Sequence, residues 1–364
     1  MTDFVQIHFL TAYPASCLVR DDTGRPKTMT FGGMPRGRIS SAALKRAVRT
    51  SDEFQSTVED RVGQRTQMLG TVIRDKLIEE EVADATAVEA ARAVAAMFGR
   101  IKPENADAPT EIEQLAFIDP QEIQGAVDVA RRYAAGDLSA DDAETAAKQL
   151  IQGAVTATDI ALFGRMFADR PEMRMNAAAE VAHPFTVDRA DTEIDYYVAV
   201  DDLNDRSEDA GSAFIGEQGF LSGLFYGYAN VNKDLLTRNL DGNAALADQA
   251  LAGFLRGVAT VAPIGKRAPF GSRARASYLR VERGPSTPRS LAAAFLSPVA
   301  PPRSGEDETL LNRAIRALEG TAAGFDQAYG DGPTVATLNV SEGTGTLDDC
   351  IAHTQGALAE KQTT

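Results

Sequence analysis

Residues 31–49 read FGGMPRGRISSAALKRAVR, a glycine-rich basic stretch that leads into a predicted helix. Glycine and proline favour a loop up to position 38, and Ser40 or Ser41 is a residue type that caps helix starts. The following cations recur at helical spacing and are predicted to share one exposed face: Lys45, Arg46 and Arg49. Because the first backbone N–H groups of a helix attract anions, the stretch predicts an anion-binding surface.

The distribution of charge supports this prediction, although the chain of 364 residues carries a net charge of −15. That total alone disfavours a nucleic-acid partner, because phosphate binding depends on local Lys and Arg. The cations are concentrated, however. Residues 20–49 contain eight basic and two acidic residues, and residues 256–283 contain seven basic and one acidic. Such segregation predicts a basic groove on an acidic body.

Composition excludes several other classes of protein. Hydrophobic residues make up 44% of the chain, enough for a sizeable core, and no apolar run reaches the length of a membrane span. Two cysteines and three scattered histidines form neither a disulfide framework nor a zinc pattern. We expect a cytoplasmic protein with no metal and no cofactor.

Hydrophobic patterns predict the order of elements. Residues 4–10 indicate a strand, 11–38 a loop, and 55–165 a helical insertion with helix starts at Asp119 and Ser139. Residues 193–201 alternate strictly, so Tyr196 and Val198 share one face and Tyr197 takes the other. A strand-like pattern resumes at 220–231, and the pair predicts a long hairpin or arm. Further on, 242–262 and 308–328 indicate helices, and 278–283 a strand.

Catalytic patterns are weak. Asp21 and Asp22 could bind a divalent metal and cleave a phosphodiester, but are better placed to position neighbouring arginines. Gly32-Gly33 lacks the spacing of a phosphate-binding loop of nucleotide hydrolases. His183 has no evident nucleophile or acid beside it and is predicted to be a buried, hydrogen-bonded histidine.

A basic cleft beside an arm with exposed aromatic residues fits single-stranded RNA. Lys and Arg would hold the backbone, while Tyr196, Tyr197 and Ile215 would stack on or wedge between bases. Since phosphate contacts carry no base information, binding is predicted to be largely independent of sequence.

At these residues the chain resembles the CasC family, the backbone subunit of the type I-E CRISPR surveillance complex Cascade. The resemblance runs from Ile7 to about Gly271. It is carried by the segments 13–16, 20–22, 31–33, 38–41, 44–47, 159–166, 181–183, 200–203 and 228–232.

The resemblance implies an α+β fold shaped like a right hand. A ferredoxin-like (RRM-like) palm would comprise residues 1–58, 182–192 and 224–364, with the RNA-binding loop and helix in its first part. A helical fingers insertion would span 59–181, and a β-hairpin thumb would span 193–223.

The resemblance also implies a non-catalytic, RNA-binding subunit of antiviral defence. Copies would stack head to tail along the CRISPR RNA (crRNA) and present it to invading DNA for R-loop formation, together with other Cascade subunits. No membrane partner is implied. The residues expected to contact RNA are Arg20, Lys27, Arg38, Ser40, Lys45, Arg46, Arg49, Arg165, Met166, Tyr196, Tyr197, Val198, Ile215 and Lys266.

Two alternatives remain open at this stage. One is a metal-dependent endoribonuclease of a related effector complex, with Asp21 or Asp22 as the metal-bound acid. The other is a protein-only scaffold that never contacts RNA.

Overall fold

The computed structural model describes residues 1–167, 170–199 and 214–356. The chain divides into two compact units. Unit 1 comprises Met1–Phe54, Val181–Asn230 and Leu251–Thr364, and unit 2 comprises Gln55–Glu180 and Val231–Ala250. The helical insertion expected over 59–181 falls in unit 2, whereas residues 231–250, expected in the palm, belong to that unit as well.

The strands are, in chain order, β1 (Phe4–Ser16), β2 (Thr28–Phe31), β3 (Met34–Gly37), β4 (Gln64–Thr66), β5 (Ala116–Ile118), β6 (Ala179–Val181), β7 (Phe185–Thr186), β8 (Glu193–Ala199), β9 (Phe214–Asn232), β10 (Tyr278–Gly284) and β11 (Thr334–Asn339).

The helices are α1 (Ser41–Arg49), α2 (Asp52–Thr57), α3 (Leu69–Glu79), α4 (Asp84–Ala95), α5 (Pro120–Ala134), α6 (Ala140–Gln152), α7 (Thr158–Phe163), α8 (Lys233–Asn239), α9 (Ala244–Thr260), α10 (Arg267–Phe270), α11 (Leu310–Tyr329) and α12 (Leu347–Thr354), with 3₁₀ turns at Pro171–Met173 and Ala292–Phe295.

An antiparallel sheet forms the centre of unit 1, in the order β11-β10-β1-β9. In its register Ile7 of β1 lies opposite Val281 of β10, and β7 and β8 both pair antiparallel with β9. The first half of β1 is buried on both of its faces, as expected of a central strand. The mixture of helices with antiparallel sheets confirms the predicted α+β class.

Two helical contacts cover the core of unit 1. Helix α11 buries Ala314, Leu318 and Ala322, spaced four residues apart, against a cluster that includes Leu10 and Phe295. Elsewhere α1 packs closely on α9. A Cβ atom at Gly257 would lie 2.5 Å from Val48 Cγ1, so the absence of a side chain at Gly257 permits this approach.

Unit 2 is built from short helices whose facing positions are rich in alanine. Helix α3 contributes Leu69, Ile73 and Leu77, and helices α4–α6 pack small residues around them. The predicted helix starts are confirmed. Asp119 caps α5 and Ser139 caps α6, each in a reciprocal capping box that satisfies two otherwise unpaired N–H groups.

Several local predictions were wrong. Strand β1 continues to Ser16, and the expected loop contains the hairpin β2-β3. Gly32 and Gly33 form its turn with φ of 59° and 75°, the left-handed pair that a two-residue hairpin turn requires. Strand β9 begins at Phe214 rather than at 220. The middle of the predicted thumb, 200–213, lies outside the described residues.

Candidate nucleic-acid interface

An open cleft in unit 1 gathers residues from separate parts of the sequence. We call it the loop cleft. Its volume is about 550 Å³, and it is lined by Leu18, Val19, Arg20, Asp21, Asp22, Gly24, Lys27, Ser40 and Gly265. The fold thus brings Arg20, Lys27 and Ser40 together, as the sequence predicts, and places Lys266 next to a lining residue. Arg38 lies beside Lys27 in an adjoining recess.

Asp21 shapes the wall of this cleft. Its Oδ1 accepts hydrogen bonds from the backbone N–H of Thr23 (2.9 Å), the hydroxyl of Thr23 (2.8 Å) and the backbone N–H of Arg25 (2.9 Å). The bonds from Thr23 and Arg25 favour the charged carboxylate and lower the pKa of Asp21. Asp21 therefore fixes the turn that presents Arg20 and Lys27, a role typical of aspartate in tight turns.

Ser40 is the N-cap of α1, where its hydroxyl accepts a hydrogen bond from the backbone N–H of Ala43. His183 is exposed, so its predicted burial was wrong. Its Nδ1 accepts from the backbone N–H of Ser41 at 3.1 Å and lies 3.2 Å from a guanidinium nitrogen of Arg38. His183 thereby helps to fix the start of α1 and the direction of Arg38.

Helix α1 divides its three cations between two environments. Arg46 is exposed and Lys45 is half-buried, but Arg49 is only 7% exposed. The prediction of a common exposed face was therefore wrong for Arg49, because its side chain turns towards the side of the helix that holds Ala47 and Val48. The basic face of α1 is reduced to Lys45 and Arg46.

Arg36, the other arginine of the opening stretch, is completely buried. Its guanidinium donates to the carbonyl oxygens of Thr186 (2.8 Å) and Phe295 (2.8 Å). Burial lowers the pKa of Arg36, although the nearby charge of Asp188 opposes that shift. Its neighbour Arg38, two positions along the chain, remains at the surface. Arg36 is thus a structural clamp rather than part of an anion site.

The arm consists of β8 and residues Phe214–Phe220 of β9. Every residue of β8 is exposed. Val198 lies opposite Ile215, and Tyr196 lies opposite Glu217 on the same face as both. The rings of Tyr197 and Phe214 lie 6.0 Å apart on the other face. The predicted hairpin and its alternation are confirmed for these residues, and they leave an apolar wedge uncovered by the rest of the described chain.

Lys266 lies in a second loop, residues 264–273, beside the cleft. Its Nζ donates to Oε1 of Gln218 in the arm at 2.6 Å. Phe270 in the same loop lies 5.9 Å from the ring of Phe220. Lys266, expected to contact nucleic acid, thus already has a protein partner.

The second basic segment supplies fewer surface cations than its sequence suggests. Arg280 and Arg283 are buried in β10, and Arg256 pairs with Asp348 at 2.6 Å. Arg280 binds Glu282 at 2.7 Å, and Arg283 binds Asp3 at 2.6 Å. Among the described basic residues of 256–283, only those in the loop between α9 and β10 lie outside such ion pairs.

The Arg165-Met166 pair lies in unit 2. Arg165, expected to contact RNA, is only 6% exposed and binds Glu122 at 2.6 Å. Burial raises the pKa of Glu122 even though Arg165 opposes that shift. Met166, also expected to contact RNA, is 79% exposed.

Sequence reasoning missed a second cleft in unit 1. It has a volume of about 440 Å³ and lies between the end of α1 and residues 260–275, with Arg267, Arg273 and Arg275 among its lining. These arginines sit in a Gly- and Pro-containing loop, which was a usable signal. The contact of His183 with α1 had no such signal, since 142 residues separate His183 from Ser41.

Within the described ranges, no cluster of three or more His, Cys, Asp or Glu residues could hold a metal ion. In the same part of the chain, no helix combines the length and apolar character that crossing a bilayer requires.

Comparisons with known proteins define the class. A chain of a solved structure titled "CRISPR RNA-guided surveillance complex, pre-nicking" superposes with a TM-score of 0.83 and 28% identity, covering 96% of this chain and 100% of that one. A chain titled "CRISPR RNA-guided surveillance complex" gives a TM-score of 0.71 and 24% identity over 96% and 99%, which supports the fold alone. No curated protein matches.

The fold is thus that of a CRISPR-associated protein, similar to subunits of RNA-guided surveillance complexes. The chain belongs to the CT1975-like protein family, whose profile matches residues 5–362.

Proposed function

We propose that this chain is the crRNA-binding backbone subunit of a type I-E Cascade complex, the CasC subunit. Copies assemble head to tail along the guide RNA, other Cascade subunits complete the complex, and the guide is presented to invading DNA for R-loop formation. The loop cleft carries this proposal, because it brings Arg20 and Lys27 to the start of α1 at Ser40, with Arg38 in the adjoining recess, on a chain whose net charge is −15.

In this proposal unit 1 supplies a ferredoxin-like palm, unit 2 the fingers and the arm the thumb. The palm assignment is supported by the antiparallel sheet of unit 1 and by the helices α1 and α11 that pack in the same unit. Phosphates occupy the loop cleft, held by Arg20 and Lys27 together with the N-terminal turn of α1.

The arm contributes apolar contacts to the bases. Tyr196, Val198 and Ile215 are each more than 50% exposed. Together they form a large apolar patch on a solvent-exposed hairpin. Glu193, Asp195 and Glu217 make the arm acidic, so it attracts no phosphate. Its role is therefore to wedge or stack on bases and to kink the RNA, while affinity comes from the cleft.

The subunit is proposed to be non-catalytic. Asp21, the best candidate acid, already accepts three hydrogen bonds on one oxygen in the turn it shapes. Cleavage of complementary RNA at regular intervals in Mg²⁺, abolished by Asp21→Ala or Asp22→Ala, would instead favour the endoribonuclease alternative.

The test is RNA binding as a function of salt. Replacing Arg20, Lys27 or Arg46 by Ala should weaken binding of unrelated single-stranded RNA sequences equally. Each change should also flatten the slope of log K against log[salt] by roughly 0.7. Arg316→Ala is the matched control, because Arg316 lies on α11 outside the loop cleft, and its 70% exposed side chain pairs with Glu308.

A sequence-selective loss of binding would contradict the phosphate-contact assignment. If purified assemblies carried no nucleic acid, and the three variants left RNA association unchanged, the protein-only scaffold would be correct.

A further inference from the structure

The base of the arm is held between two loops of unit 1. On one side, Lys266 Nζ donates to Gln218 Oε1 at 2.6 Å, and the ring of Phe270 lies 5.9 Å from that of Phe220. On the other side, β9 passes so close to the loop cleft wall that a Cβ at Gly219 would lie 3.0 Å from Pro26 Cδ.

The loop that carries Lys266 packs closely against the wall of the loop cleft. A Cβ at Gly265 would lie 2.2 Å from the carbonyl oxygen of Leu18, so only glycine permits this approach to the cleft wall. The next residue, Lys266, adopts the left-handed conformation with φ of 44°, which costs conformational free energy for residues other than glycine. Such conformations persist where surrounding contacts over-determine them and occur often at functional sites.

From this arrangement we infer that Lys266 is a positioning residue, which fixes the direction of the arm relative to the loop cleft and does not bind phosphate. Its ammonium is half-buried and directed to an uncharged amide on the arm. The strained backbone aims the side chain at Gln218, and the loop is braced against the cleft wall. The arm and the cleft therefore move as one element.

The arrangement matters because the arm has little else to hold it. Between its base at Phe220 and Phe214 the arm consists of two strands that pair with each other, and an isolated two-stranded hairpin is marginally stable in water. Contacts at the base thus determine where Tyr196 and Ile215 point.

The first measurement uses the RNA-free protein, so it does not depend on the proposed function. Amide hydrogen exchange at 193–199 and 214–220 should quicken about fivefold in Lys266→Met and to a similar extent in Gln218→Leu. The double variant should add little, because both changes remove the same bond. Lys266→Arg should restore most of the protection.

Two further variants control for the fold and for charge. Lys266→Gly suits the left-handed backbone and keeps the loop folded, yet it should release the arm as Lys266→Met does. Arg275→Met removes an exposed cation from the same segment and should leave exchange in the arm unchanged. Unchanged exchange in Lys266→Met and Lys266→Gly would overturn the inference.

The second measurement rests on the proposed function. If Lys266 positions the arm, Lys266→Met should keep the salt dependence of RNA binding while altering the spacing of nuclease-protected bases. A slope flattened by roughly 0.7 would show a phosphate contact and would overturn the inference. If the unaltered protein bound no RNA, the proposed function would fail while the exchange result stood.

Discussion

Strand β10 and the loop at 264–275 come from the same basic run of sequence but use their arginines in opposite ways. In β10, Arg280 and Arg283 are buried and paired with carboxylates. In the loop, Arg273 and Arg275 are exposed and line an open cleft. The comparison teaches that the cations of this run stay exposed to solvent where the backbone leaves the sheet and are buried where it forms β10.

The same contrast recurs over shorter distances. Arg36 is buried while Arg38, two residues on, is at the surface, because β3 ends at Gly37 and Arg38 lies beyond the strand. On α1, Arg49 is buried while Arg46 is exposed.

The largest effect is expected from breaking the ion pairs of β10. Arg280→Met should lower the free energy of unfolding by about 3–5 kcal/mol, because it leaves Glu282 buried beside one fewer cation. Arg275→Met, the control from the loop, should change stability little. Urea denaturation measures the free energy of unfolding of both variants. Equal losses would show that the buried and the exposed arginine do not differ in their contribution to stability.

Acid should weaken the same network. Burial of Glu282 favours the neutral acid, but His8 and Arg280 beside it outweigh that effect and lower its pKa to about 2. A carboxylate whose pKa falls on folding stabilises the protein above its ordinary pKa and loses that contribution as pH falls through the folded value. We expect a loss of roughly 3 kcal/mol between about pH 5 and 2.

Denaturation midpoints measured across that range would test this expectation. The Glu282→Gln variant should be less stable near neutral pH, with a flatter dependence below pH 5. An unchanged slope would assign the acid sensitivity to other carboxylates.

Helix α1 shows the same contrast between a buried and an exposed arginine, with a smaller expected effect. Arg49→Ala should cost about 1–2 kcal/mol of stability through lost packing and a lost buried partner. Arg46→Ala should leave stability nearly unchanged but flatten the salt dependence of RNA binding. Thermal denaturation beside RNA titration separates the two outcomes, and a reversed pattern would show that the assigned faces are wrong.

The smallest effect on stability is expected in the arm. Changing Tyr196 and Tyr197 to Ala should leave the unfolding midpoint nearly unchanged, because both side chains are more than 40% exposed. The same change should alter the kinking of bound RNA, seen as a shifted pattern of nuclease protection, more than it alters affinity. An unchanged pattern would remove the wedge role.

Local features were predictable from sequence wherever short-range physics determines them. Asp119 and Ser139 cap helices because their side chains bond to N–H groups two or three residues away. The alternation at 193–199 gives an arm with two distinct faces, and the glycines and cations of 20–49 lead to the loop cleft.

The burial of Arg36 and Arg165 was not predictable, because their partners lie far away in sequence. Arg165 finds Glu122 across 43 residues, and Lys266 finds Gln218 across 48. By itself the sequence determined the α+β class, the helix caps, the arm and the location of the cations. The tertiary structure alone decided which cations face solvent, since pairing a buried charge offsets its desolvation only when folding brings a distant partner within hydrogen-bond distance.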